Sequence, residues 1–232
     1  MARISNHTVK QVNVTIVPDS IVKTQLVDSH ALGGKLRDLF ESAEPVIINL
    51  PEIVSVVDPK NKMGVNILQQ ENRVVISDDS ITPYTNRPLE NLIKLTQHVD
   101  KIVFRNEENP IKIRVYGFNI SSSLDLNPNN DGDEPILAGK YILDNFISGG
   151  KIENIDGDPE SAGVQLVYTK NDVRYTLKVA ARVTSRDLED TKTLSIEFNA
   201  HFKKTLPEDY TAIEAEFNAN YARLGEDLRI LE

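Results

Sequence analysis

Apolar and polar residues alternate through Val12-Asn13-Val14-Thr15-Ile16, the period of a strand with one buried face, and Pro18-Asp19-Ser20 ends the run. Residues 35–40 predict a short helix between Gly33-Gly34 and Pro45. Two β-branched runs follow, 46–50 and 53–57, split by Pro51, which an interior strand does not accept; they read as strand, kink, then strand or short helix. Residues 64–70 and 73–77 flank Glu71-Asn72 as a hairpin with a tight polar turn. Thr85 or Asn86 caps a helix that opens at Pro88, where a missing N–H is harmless. Leu89, Leu92, Ile93, Val99, Ile102 and Val103 recur along it at three- and four-residue spacing, to about Phe104. Residues 111–120 then alternate as a strand, and 136–147 predict a helix stopped by Ser148-Gly149-Gly150.

The C-terminal part is the most legible. Val164, Leu166 and Tyr168 alternate, residues 169–172 turn the chain, and Val173, Tyr175, Leu177, Val179, Ala181 and Val183 form the apolar face of a long second strand. Arg174, Thr176, Lys178 and Arg182 take its other face. Leu194, Ile196, Phe198, Ala200 and Phe202 alternate again, leaving Glu197, Asn199 and His201 outward. After Pro207-Glu208, a helix carries Tyr210, Ile213, Phe217, Tyr221, Leu224 and Leu228 on one stripe, and the nearest surface to bury it is the apolar face of this meander. The pattern predicts an α+β fold: a mostly antiparallel sheet with helices packed on one face, ending in a three-stranded meander and a long amphipathic helix. Residues 121–135 are a low-complexity polar stretch, so the expectation is a single domain with two lobes, about 1–124 and 136–232, joined by that loop. Strands followed by a helix occur twice, ending at Phe104 and at Leu231, which leaves a duplication open; aligned identities between the halves are few.

Charge changes this picture in one respect. The net charge is −9, and all of it lies beyond residue 124. An acidic surface repels phosphate backbones and anionic lipid, and the longest basic cluster is the pair Lys203-Lys204, so nucleic acid is not an expected partner. The absence of cysteine excludes disulfides, thiol catalysis and zinc-thiolate sites, and suits a reducing compartment. Residues 1–7 contain no apolar signal core, and no apolar run approaches the ~18 residues of a membrane span. The expected location is the cytoplasm, with no membrane association.

Candidate chemistry is sparse. Asn127-x-Asn129-x-Asp131-Gly132-Asp133-Glu134 resembles the first half of a calcium loop, but Ala138 stands where the bidentate glutamate belongs. What survives is a looser candidate cation site of Asp125, Asp131, Asp133 and Glu134. The histidines at 7, 30, 98 and 201 show no ligand spacing. Gly33-Gly34-Lys35 lacks the leading glycine and the hydroxyl of a phosphate loop. Lys112, Arg114, Tyr116 and Phe118 share one strand face, an arrangement that single-stranded nucleic-acid platforms use, here half solvated and half packed.

The segment with Gln69-Gln70, Arg73-Val74-Val75-Ile76, Pro83-Tyr84, the 88–104 helix and Arg114-Val115-Tyr116-Gly117-Phe118-Asn119 resembles a family of uncharacterised, sporadically distributed prokaryotic proteins. The resemblance implies that order of elements and a prokaryotic or phage setting; it carries over no activity and no site residues. The residues themselves favour a non-enzymatic interaction protein that meets a protein partner or a second copy, with no cofactor. Its binding candidates are the outward positions Arg174, Lys178, Glu197, Asn199 and His201, beside a heptad-like last helix. The alternative is a hydrolase-like enzyme whose site assembles in three dimensions around His201 and Glu197.

Overall fold

Alternating burial produces a single antiparallel sheet. A computed structural model gives the fold and describes residues 3–40, 44–107, 109–127, 137–147, 160–182 and 192–231. Strands β1 (Arg3–Pro18), β2 (Val46–Leu50), β3 (Ile53–Asp58), β4 (Met63–Leu68) and β5 (Arg73–Asp78) belong to the first half, with the two-residue β6 (Thr82–Pro83) paired to the start of β1. Strands β7 (Ile113–Asn127), β8 (Ser161–Lys170), β9 (Val173–Arg182) and β10 (Thr193–Phe202) belong to the second. The order across the sheet is β2-β3-β4-β5-β1-β7-β10-β9-β8. The described helices are α1 (Ser29–Phe40), α2 (Glu90–Val99), α3 (Ala138–Phe146) and α4 (Tyr210–Asp227). None is long and apolar enough to cross a membrane.

At the centre, β1 and β7 run antiparallel with Val12 opposite Ile120, Asn13 opposite Asn119 and Val14 opposite Phe118. Outward from this seam the two halves repeat: β5, β4, β3 beside β1, and β10, β9, β8 beside β7. Each half is a long central strand, a helix, antiparallel strands returning to that central strand, and a closing helix. The first half carries β2 in addition.

All four helices lie on one face. Helix α1 packs on β2 and β3, α2 on β5, α4 on β7 and α2, and α3 on β8, β9 and β10. Val12, Val14, Ile16, Tyr116, Phe118 and Phe198 point to that side and are buried in one continuous apolar cluster. Phe217 of α4 sits 4.9 Å from Phe118, centroid to centroid. Burying each such ring stabilises by about 2–3 kcal/mol.

Four sequence expectations change. Residues 121–127 are the end of β7 and not a loop: Ser122, Leu124 and Leu126 alternate inward and are buried, between β1 and β10. Pairing on both edges overrides a loop-like composition, so the two lobes share one sheet. Residues 128–136, the rest of the expected linker, lie outside the described residues. The kink at Pro51 is the turn of a β2–β3 hairpin. The helix expected to reach Phe104 ends its regular turns at Val99 and widens into a π-helical turn over Asp100–Phe104. Finally, the α4 stripe packs chiefly on β7 and α2, where the sequence pattern pointed to the apolar face of the meander.

An aromatic stack ties the halves together on the helix side. Tyr84, in the turn Tyr84–Asn86, lies on Tyr221 of α4 at 4.6 Å, and His7 of β1 lies on Tyr84 at 4.5 Å. The Tyr84 hydroxyl donates to the Tyr221 carbonyl at 2.6 Å, and the Tyr221 hydroxyl donates to the Tyr84 carbonyl at 2.9 Å. Gly225 makes room for this: a Cβ there would stand 2.9 Å from the Tyr84 hydroxyl oxygen.

Two predictions follow from the stack. In an open helix Gly225→Ala gains about 1 kcal/mol of helix propensity, but the clash costs about 1–3 kcal/mol, so this variant lowers the urea midpoint. Tyr84→Phe removes the colliding oxygen, and the double variant loses less than the sum of the two single changes. Burial holds His7 down to about 4, against about 6.5 in the unfolded chain. Its contribution to stability is therefore complete above about pH 6.5 and lost as pH falls from there toward 4. His7→Phe removes that dependence, read as a flatter thermal midpoint across this window.

Candidate functional site: the open face of the sheet

Period two places every second strand residue on the face away from the helices. No described element covers that face. Registers across it align Ser77, Asn13, Asn119, Asn199 and Thr176 in one row, and Thr15, Gly117, His201 and Arg174 in the next.

The middle of the face is a ladder of amides. Asn199 Nδ2 donates to Asn119 Oδ1, and Asn119 Nδ2 donates to Asn13 Oδ1 at 2.7 Å. Asn13 Nδ2 donates to Gln11 Oε1 at 3.0 Å, and Gln11 Nε2 to Asp79 Oδ1 at 2.6 Å. Thr15 adds its hydroxyl to Asn13 Oδ1 at 3.2 Å. Each amide is thus held in one orientation by its neighbours, which fixes the polar pattern the face presents.

The two ends of the face differ in chemistry. At β2 and β3, Val46, Ile48, Leu50 and Ile53 are 50%, 48%, 53% and 39% exposed, a contiguous apolar patch. At β9 and β10, Lys178 and Glu197 form an exposed ion pair at 3.2 Å. Beside them, at the end of the sheet, a pocket of about 580 Å³ is lined by Thr169, Asn171, Arg174, His201, Lys203 and Lys204, with Asp172 its one carboxylate. Asn171 and Asp172 form the β8–β9 turn with φ of 51° and 63°, a left-handed conformation that Asn and Asp tolerate better than most residues. Lys204 is paired with Glu216, whereas among the described residues neither Arg174 nor Lys203 has an acidic partner. Burial depresses the His201 pKa, and Lys203 and Arg174 depress it further.

Of the five binding candidates, the structure brings Arg174 and His201 together in this pocket. Asn199 belongs to the amide ladder, and Lys178 and Glu197 are spent on each other. Glu197 does not line the pocket, so His201 meets cations where an acid–base pair needs a carboxylate. Among the cation candidates, Asp125 lies on β7 and accepts a hydrogen bond from Thr193 at 2.9 Å. Asp131, Asp133 and Glu134 lie outside the described residues. Among the described residues no group of three or more His, Asp or Glu is placed to hold a metal ion. Sequence reading missed Lys203 and Asn171 as neighbours of His201; the turn chemistry of Asn171-Asp172 was the available signal. It also missed β2 and β3 as an exposed surface, because β-branched runs read as core.

The convergence on His201 is measurable. Lys203→Ala and Arg174→Ala should each raise the His201 pKa toward its ordinary value, and the double change should raise it further, followed by NMR titration of the ring. An unchanged pKa in both variants would mean that these cations do not face the ring.

No family model matches the chain, and no curated protein matches it. Among solved structures, the S. pombe Pct1 RNA triphosphatase aligns at 7% identity over 99% of this chain and 85% of that chain, with a TM-score of 0.12. A TM-score this low carries no argument about fold or activity.

Proposed function

We propose that this chain is a non-enzymatic, self-associating interaction protein, and that a second copy covers the open face of its sheet. The observation that carries this reading is the exposed apolar patch of Val46, Ile48, Leu50 and Ile53 on a face where no described helix lies. Exposed contiguous apolar surface of this kind marks interaction sites. Nine strands at about 4.8 Å spacing, each about five residues tall, give a face of roughly 700 Å², close to the ~800 Å² per partner of a standard interface. Charge does not oppose the contact: the face carries Arg73, Arg174 and Lys178 against Glu197 and Asp125, although the chain is at −9. A two-fold axis running across the strands sets apolar end on apolar end and amide ladder on amide ladder. Sheets packed in this way share a core about 10 Å thick.

In this reading the C-terminal meander of β8, β9 and β10, with α4, is a rigid support that aims Lys178, Asn199 and Glu197 at the partner. The setting is a cytoplasmic one, in line with the cysteine-free composition and with the resemblance to uncharacterised prokaryotic proteins. The hydrolase alternative has no observation in its favour, since His201 and Glu197 do not share a cavity.

Light scattering over a dilution series tests the proposal. The native chain should run as a dimer, and Ile48→Glu combined with Leu50→Lys should run as a monomer. Both positions are surface sites in the single chain, so its unfolding free energy should move by no more than about 0.5 kcal/mol. A native chain that stays monomeric at every concentration would sink the reading, as would a double variant that still dimerises.

A further inference from the structure

Donors without acceptors distinguish the pocket at the end of β9 and β10. Elsewhere on the open face, Lys178 is spent on Glu197 and Asn199 on Asn119. In the pocket, Thr169, Asn171, Arg174, His201 and Lys203 make no side-chain hydrogen bond or ion pair among the described residues. Asp172, the one lining carboxylate, pairs with none of them. Lys204 lines the same pocket but is held by Glu216.

Strand pairing fixes this arrangement. Thr169 of β8, Arg174 of β9 and His201 of β10 stand in one row, each directly opposite the next. The row continues on β7 at Gly117, which has no side chain to fill the space beside His201. Asn171 belongs to the β8–β9 turn, and Lys203 follows the end of β10. Groups of like charge set across a strand pair repel, so the fold bears a cost for gathering Arg174 and Lys203 around an imidazole. An anion between them reverses the sign of that interaction.

The donor set matches one anion in particular. A phosphate monoester carries about −1.5 to −2 charges at pH 7 and three strong acceptor oxygens, which suits two cations flanked by neutral donors. A guanidinium meets two such oxygens at once, and an ammonium adds a point charge. The volume of about 580 Å³ lies within the usual range of small-molecule sites, about 300–1,000 Å³, and leaves room for a body beyond the phosphate. The chain as a whole is at −9, so a long polyanion meets repulsion outside the pocket that a small ester escapes. We propose that this pocket binds a small phosphate monoester, with Arg174 and Lys203 on the phosphate oxygens, Thr169, Asn171 and His201 donating from the sides, and the organic body along Val173.

The probe is n-propyl phosphate, compared with dimethyl phosphate and butyrate at matched ionic strength and followed by NMR. Propyl phosphate should saturate and shift the His201 ring and the Thr169 and Asn171 amides. It should bind at least about tenfold more tightly than dimethyl phosphate or butyrate, which carry a single charge, the factor one charge-assisted hydrogen bond provides. Arg174→Ala and Lys203→Ala remove exposed side chains that the fold does not use, and each should weaken the ester about tenfold. Lys60→Ala, in the β3–β4 turn, removes the same charge far from the pocket and should leave binding unchanged. Equal binding of monoester and diester overturns the proposal, as do shifts confined to other residues, no saturation, or a Lys60→Ala loss as large as that of Arg174→Ala. Neither Ile48 nor Leu50 lines the pocket, and the titration can be run on the chain carrying both of those substitutions as well as on the native one. Failure here and failure of the dimer are therefore separate results.

Discussion

Taken singly, each half of this protein leaves one long strand with a whole edge of unpaired N–H and C=O groups. The antiparallel pairing of β1 with β7 satisfies both edges at once, and the rest of the structure is built outward from it. It explains why β1 and β7 are the longest strands. Each is flanked on both edges, so its inward residues, Val12, Val14, Ile16, Tyr116, Phe118 and Ile120, are almost wholly buried. It also explains why the closing helices meet: α2 and α4 come from different halves but converge over the seam, where His7, Tyr84 and Tyr221 stack. On the open side of the same seam the amides of Asn13, Asn119 and Asn199 satisfy one another.

Strand positions were legible wherever alternation was strict. The runs around Val14, Ile76, Leu177 and Phe198 all stand in strands whose inward residues are the apolar ones. What failed was composition used as a proxy for structure. Ser121-Ser122-Ser123 reads as a loop, yet period two continues through Leu124 and Leu126, and pairing on both sides decides the matter. Arg87 was equally invisible. Its guanidinium is buried and ties the end of β5 to the start of α2 through Asp78, with Nη2 on the Asp78 carbonyl at 2.7 Å and Nη2 to Oδ2 at 3.1 Å. No local pattern announces a buried ion pair whose partners come from separate elements. The pocket at His201 was half legible: strand parity gave Arg174 and His201 a common face, but only the β8–β9 turn brings Asn171 to them, while Lys203 follows directly from the end of β10.

The one-sidedness of the sheet has an electrostatic corollary. The acidic surplus lies beyond residue 124, yet β9 and β10 turn Arg174, Lys178 and His201 to the open face. Among the described residues beyond 124, eleven acidic side chains meet ten basic ones, and six of the acids, Glu208, Asp209, Glu214, Glu216, Glu226 and Asp227, lie on α4 and the turn before it. On the described residues, α4 and the turn before it thus place a local excess of acid in the helix layer.

The repeated topology also supplies an internal comparison for Asp100. In the second half the closing helix α4 runs into a tight 3-10 turn, Leu228–Leu231, and its leucines are buried at 2% and 0% exposure. In the first half the equivalent helix α2 runs into the wider π turn and buries the Asp100 carboxylate instead, whose Oδ1 has no hydrogen-bond partner among the described residues. Both solutions close the same circuit of strands, so closing the fold does not require the acid. An apolar end gains about 2 kcal/mol per buried leucine, whereas an unsatisfied carboxylate oxygen costs on the order of 1–3 kcal/mol. The second half shows that the cheaper ending is within reach of this architecture.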